Sequence, residues 1–139
     1  MFIRNLFRDE IIDQQFLEAV DLFNANNQAE SYQMLFDLWI HTKSPNRKLF
    51  FQALLQSSAA LQLLDKRKFT GAKKVYSCAL KKLINYSTLT KPFDIRQFIF
   101  DMIDYFENYN CDFQLNEIDV QQHRRPRLFG TALRQYIRV

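Results

Sequence analysis

Residues 45–66 read P-N-R-K-L-F-F-Q-A-L-L-Q-S-S-A-A-L-Q-L-L-D-K, and this stretch decides the fold. Leu49, Phe50, Ala53, Leu54, Ser57, Leu61 and Leu64 recur at helical spacing and form one broad apolar stripe. Pro45 suits a first helical position, where its missing N–H costs nothing, and Ser44 before it suits an N-cap. So apolar a helix is expected at the centre of its fold. The small run Ser57, Ser58, Ala59, Ala60 would let a second helix approach closely.

The same period continues on both sides. Residues 29–41 place Tyr32, Leu35, Phe36 and Trp39 on one side of a helix, with Trp39 expected in the core against Leu35, Leu54 and Leu61. Residues 8–24 carry Ile12, Phe16, Ala19, Val20 and Phe23 at helical spacing, with Asp9 and Glu10 suited to the positive N-terminal end. The polar run 24–28 reads as the turn between them. Residues 70–85 turn Ala72, Val75, Tyr76, Ala79, Leu80, Leu83 and Ile84 inward and Lys73, Lys74, Lys81 and Lys82 outward. Cys78 lies between Tyr76 and Leu80 and is expected to pack as a small hydrophobe. After Thr90-Lys91-Pro92, residues 93–109 make a fifth helix with Ile95, Phe98, Ile99, Met102, Ile103 and Phe106 apolar and Asp94 at its start. Residues 112–120 alternate like a strand over Phe113 and Leu115, or lie extended on the helices. Arg125-Pro126 argues against helix there. The expected fold is all-α: a compact antiparallel bundle of about five helices over residues 1–110. A less regular, acidic-to-basic extension over residues 111–139 packs on it or projects from it.

A chain of 139 residues is one domain by length, and the 2 Gly and 3 Pro fit helices better than sheets. The 14 Phe, with abundant Asn, Ile, Lys and Tyr, fit an AT-rich genome, organellar or bacterial, and point to a plastid-type source with the stroma as compartment. No segment reaches the roughly 18 apolar residues of a membrane span, and the start has no apolar core long enough for a secretory signal. A soluble, intracellular protein is expected. The short basic amphipathic end with Phe2, Ile3, Leu6, Phe7, Arg4 and Arg8 is too brief for strong membrane binding.

Charge is unevenly distributed. Residues 94–119 carry Asp94, Asp101, Asp104, Glu107, Asp112, Glu117 and Asp119 against Arg96 alone. Residues 121–139 carry Arg124, Arg125, Arg127, Arg134 and Arg138 and no acid. Such asymmetry marks an interaction tail or a tail folded back on the acidic segment.

Tyr32, Phe36 and Trp39 sit in an order of motifs that resembles a family of small all-helical domains of unknown function, number 309 in its naming series. The resemblance covers roughly residues 16–90. It rests on Leu22-Phe23-Asn24, Leu38-Trp39, the F-x-Q-x-L-x-Q pattern at residues 50–56, and Gly71-Ala72. The family's signature is His-x-x-x-Glu-x-x-Trp, and here only Trp39 is kept. A His and a carboxylate four residues apart share a helix side and could bind metal or exchange a proton. Tyr32 and Phe36 remove both functions, and Gln33 loses a further carboxylate. The resemblance implies a helical bundle whose site is degenerate in this chain.

No other chemistry stands out. His41 and His123 lack metal or relay spacing, Cys78 and Cys111 make no disulfide or metal pattern, and Glu30 with Asp37 reads as a solvated helix face. Two glycines cannot build a phosphate loop. No catalytic residue, metal or cofactor is expected. The expected function is a non-catalytic interaction or accessory subunit that buries aromatics at an acidic protein partner. Arg124, Arg125, Arg127, Phe129, Arg134, Tyr136 and Arg138 form the contact. The alternative is an RNA-associated protein using the same tail, extended by the lysines of the fourth helix and Lys66-Arg67-Lys68.

Overall fold

The computed structural model describes residues 14–88, 93–108 and 125–128. They form α1 (Gln14–Asn24), α2 (Gln28–His41), α3 (Pro45–Asp65), α4 (Phe69–Leu83), a short 3-10 turn (Ile84–Tyr86) and α5 (Ile95–Asn108), with no strand among the described residues. The all-α bundle expected from the apolar period is the observed fold. The strand-like residues 112–120 and the first turns of the expected N-terminal helix lie outside the described residues.

α3 is central, packed between α2 and α4. Phe50, Phe51, Ala53, Leu54, Ala60 and Leu61 are all at 0% exposure, and so are the small Ser57 and Ser58. α1 packs on α2, and Ser31 Oγ donates to the buried Ala19 carbonyl at 2.8 Å to fix that pair. Aromatic rings carry α1 across to α3 and α5: Phe16 meets Phe51 at 5.3 Å and Phe93 at 5.7 Å, and Phe23 meets Phe98 at 5.7 Å. α4 closes on α5 through Tyr76, stacked on Phe106 at 4.4 Å. The helices thus form a layer α2–α3–α4 backed by α1 and α5.

The helix ends follow local chemistry. Ser44 caps α3, its side chain accepting from the Arg47 amide at 3.5 Å, with Pro45 beside it. Asp94 Oδ1 accepts from the Gln97 amide at 3.0 Å at the start of α5. α1 and α3 end with the same device. Asn26 and Arg67 adopt left-handed φ of 65° and 59°, and the next residues, Asn27 and Lys68, donate back to Leu22 and Leu63 at 2.9 Å. A glycine usually fills that C′ position, so this chain forms two such caps without one.

Three side chains depart from the periodic reading. Trp39 is half-buried and leans on Phe36 at 5.5 Å, at the edge of the core. Cys78 is exposed, and Ile84 is 55% exposed because the chain tightens into the 3-10 turn just there. Tyr86, the last residue of that turn, swings back into the core instead, at 1% exposure, with its hydroxyl donating to the Asn46 carbonyl at 2.9 Å.

Burial pushes the Tyr86 phenol up from 10.0 to about 12. A raised folded pKa means the neutral phenol is the form that the fold stabilises. Its contribution is fully present below pH 10.0 and is lost as pH rises through about 12. Thermal melts from about pH 9 upward are therefore expected to show a steeper alkaline loss of stability in the parent than in Tyr86→Phe. Parallel curves would show that the phenol does not control it.

Candidate functional site

Residues 125–128 lie against the bundle without regular secondary structure. The Arg125 fork grips Asp65 at the end of α3, Nη1 to Oδ1 at 2.7 Å and Nη2 to Oδ2 at 3.3 Å. Its Nε donates to Asn26 Oδ1 at 3.1 Å, and Nη1 also reaches the Tyr105 hydroxyl at 3.3 Å. The guanidinium lies 5.7 Å from the centroid of the Tyr105 ring. Burial alone would pull this guanidinium's pKa down. The hydrogen bond to Asp65, the Tyr105 phenol beside it and the Asp65 charge outweigh it and hold the pKa above its ordinary value.

Three residues on, the Asn24 side-chain amide reads the main chain of Leu128 in both directions. Oδ1 accepts from the Leu128 amide at 2.8 Å and Nδ2 donates to its carbonyl at 3.0 Å. Leu128 is 2% exposed and Pro126 is buried. At this point the chain lies against the bundle. The acid it meets is Asp65 of α3, outside the acidic segment 94–119. Of the other expected contact residues, Arg127 is half-buried beside the clasp. Arg124, Phe129, Arg134, Tyr136 and Arg138 lie outside the described residues. Beside the clasp is an open depression of about 260 Å³, lined by residues 26–29, Gln62, Asp65 and Lys66.

Tyr32, Phe36 and Trp39 form a row on one side of α2. Tyr32 stacks on Phe36 at 6.2 Å, and Phe36 tilts against Trp39 at 5.5 Å. Lys48 of α3 closes the row: its ammonium sits 4.9 Å from the Trp39 ring centroid and donates to the Trp39 carbonyl at 2.7 Å. The row therefore offers π faces, with a phenol and a phenyl ring at positions 32 and 36. His41 is exposed, its Nδ1 bonded to the Asp37 carbonyl at 2.8 Å within the helix end. Among the described residues no three His, Cys, Asp or Glu come together as a metal site, and no described helix is long and apolar enough to cross a membrane.

Among the described residues, the densest set of like charges lies on α4 and the turn before it. Residues 66–88 carry Lys66, Arg67, Lys68, Lys73, Lys74, Lys81 and Lys82 and no acid. All of these are exposed except the half-buried Lys82. Thr70, Ser77 and Cys78 fill the exposed side between them. The sequence signal for this surface was the absence of acid from Lys66 up to Asp94, which the five arginines of the tail overshadow. Comparisons with protein-family models, with curated proteins and with solved structures return no match.

Proposed function

We propose that this protein is a non-catalytic accessory subunit that works by docking on an acidic partner surface. One observation carries the reading: the exposed face of α4 and its preceding turn holds seven cations and no acid. Seven like charges repel one another and add nothing to the packing of the bundle. An acidic partner would neutralise them and speed the encounter. The helical-family resemblance, with Tyr32 and Phe36 in place of His and Glu, supports a role without catalysis. The tail residues Arg124, Arg127, Phe129, Arg134, Tyr136 and Arg138 extend the proposed contact. Arg125 does not, because Asp65 occupies its guanidinium.

A protein partner is the reading that the tail suggests. The α4 surface favours the RNA-associated reading, since lysine is depleted at protein interfaces and nucleic-acid interfaces are the more positively charged. Affinity capture from the native source, with and without nuclease, tests the proposal. The full chain is compared with a variant carrying Lys73→Gln, Lys74→Gln, Lys81→Gln and Lys82→Gln. The substitutions at the exposed Lys73, Lys74 and Lys81 are each expected to change stability by less than about 0.5 kcal/mol, and the one at the half-buried Lys82 by little more. Capture is expected to be lost at an unchanged melting temperature. A variant that captures the same partner to the same extent would remove α4 from the function.

A further inference from the structure

The outward side of the α2–α3–α4 layer brings together three rows of side chains. On α2, Tyr32, Phe36 and Trp39 follow at four and three residues and are half-buried, so their rings are partly open to solvent. On α3, Lys48, Gln52, Ala59 and Leu63 make a partly exposed stripe at helical spacing on a helix otherwise largely buried. The contact of Lys48 with Trp39 joins that stripe to the aromatic row. On α4, Gly71, Lys74, Cys78 and Lys82 share one side. A Cβ on Gly71 would lie 3.7 Å from the Leu63 side chain, so this side of α4 borders the α3 stripe. The rows therefore run aromatic, polar, cationic from α2 to α4. None contains an acid. Glu30 and Asp37 of α2 are exposed but share a different side of the helix, seven residues apart.

Cations beside open π faces are what an unpaired strand requires: the phosphates need positive charge, and any base can stack on an aromatic ring. A base-paired strand has no free base face to offer. An acidic protein would need an apolar anchor among the lysines of α4, and the large apolar side chain exposed near them, Ile84, lies beyond the helix in the 3-10 turn. We infer that this side of the layer binds single-stranded nucleic acid, with bases stacked on Tyr32 and Phe36 and phosphates held by Lys74, Lys81 and Lys82. The inference rests on the acidic-partner reading above and specifies the partner. Adjacent helix axes lie about 8–10 Å apart, so the strand crosses the layer from aromatic row to lysine row over several nucleotides. Trp39 is already capped by Lys48, which leaves Tyr32 and Phe36 as the stacking faces.

The test is fluorescence anisotropy of the full chain with labelled oligouridylate, oligothymidylate and a duplex of equal length, across a salt series. Both single strands are expected to bind more tightly than the duplex, and comparing the two shows whether the ribose hydroxyl and the base methyl together change the affinity. With three to five phosphates neutralised, log K against log salt should have a slope of about −2 to −3.5. Lys74→Gln, Lys81→Gln and Lys82→Gln together should flatten that slope by about 2. Tyr32→Leu with Phe36→Leu should weaken binding about tenfold or more and leave the slope unchanged, because it removes stacking and not charge. Circular dichroism melts of both variants verify that the fold is intact. The inference is overturned if the duplex binds as tightly as the single strands, if neither strand binds at low salt, or if polyglutamate competes as well as the oligonucleotides. Should native capture still depend on the α4 lysines when the oligonucleotides fail, the accessory reading survives and the nucleic-acid assignment falls.

Discussion

Phe51→Ala is expected to destabilise the protein by about 3–5 kcal/mol. The Phe51 ring is at 0% exposure in the central helix, with Phe16 of α1 at 5.3 Å and Phe50 at 6.3 Å. The Arg47 guanidinium lies 5.2 Å from its centroid. Removing the ring loses the transfer free energy of its atoms and leaves a void that α1 and α3 cannot both close, because each is fixed by other contacts. Domains of this kind are stable by about 5–15 kcal/mol in total, so a large share of the margin goes. Trp39→Ala provides the contrast. Trp39 is half-buried at the edge of α2, and its loss is expected to cost about 1–2 kcal/mol. Urea denaturation of both variants checks the pair. A Trp39 variant less stable than the Phe51 variant would reverse the assignment of core and rim.

The second large effect is at the clasp. Arg125→Ala is expected to cost about 1.5–3 kcal/mol. The substitution removes charge-assisted bonds to Asp65, a bond to Asn26 and the contact with Tyr105. Arg125→Lys should recover less than half of the loss, since an ammonium cannot supply two parallel bonds to one carboxylate. Asp65→Asn separates charge from shape: it keeps a hydrogen-bonding side chain and removes the charge. Melting curves with and without high salt read the difference. Equal stability of parent and Arg125→Ala would show the clasp to be a surface pair of no consequence, as many exposed ion pairs are.

The helices were legible because their signals are local. Leu49, Phe50, Ala53, Leu54 and Leu61 announce the central helix by spacing alone, and Ser44-Pro45 marks its start within two residues. Trp39 and Ile84 depart from the periodic pattern for a related reason: a helical period gives a side of the helix but not its margin. Trp39 lies on the flank of the stripe centred on Leu35 and Leu38, and Ile84 lies where the helix tightens. Cys78 shares a turn with buried Ala79, yet one residue's rotation turns it outward. The clasp was illegible because each of its contacts joins distant positions. Asp65 is 60 residues from Arg125, and Asn24 is 104 from Leu128. Nothing in the local pattern of residues 24–26 or 125–128 announces the other. The α4 surface is half legible: the helical period turns its lysines outward, but their part in a continuous acid-free face depends on where α2 and α3 sit.

The Asn24 amide has a consequence for the order of assembly. Its two bonds to Leu128 join the end of the first described helix to a residue 104 positions later. On a ribosome delivering about 5–20 residues per second, α1 waits at least several seconds for that partner, even after α2 and α3 have emerged. Long-separation contacts of this kind pay their loop-closure entropy late, when the rest of the bundle already holds the two ends close. The clasp then acts as a seal on a structure formed without it. Weakening it should leave the refolding rate nearly unchanged and hasten unfolding, so Asn24 and Arg125 lengthen the lifetime of the folded chain without speeding its formation.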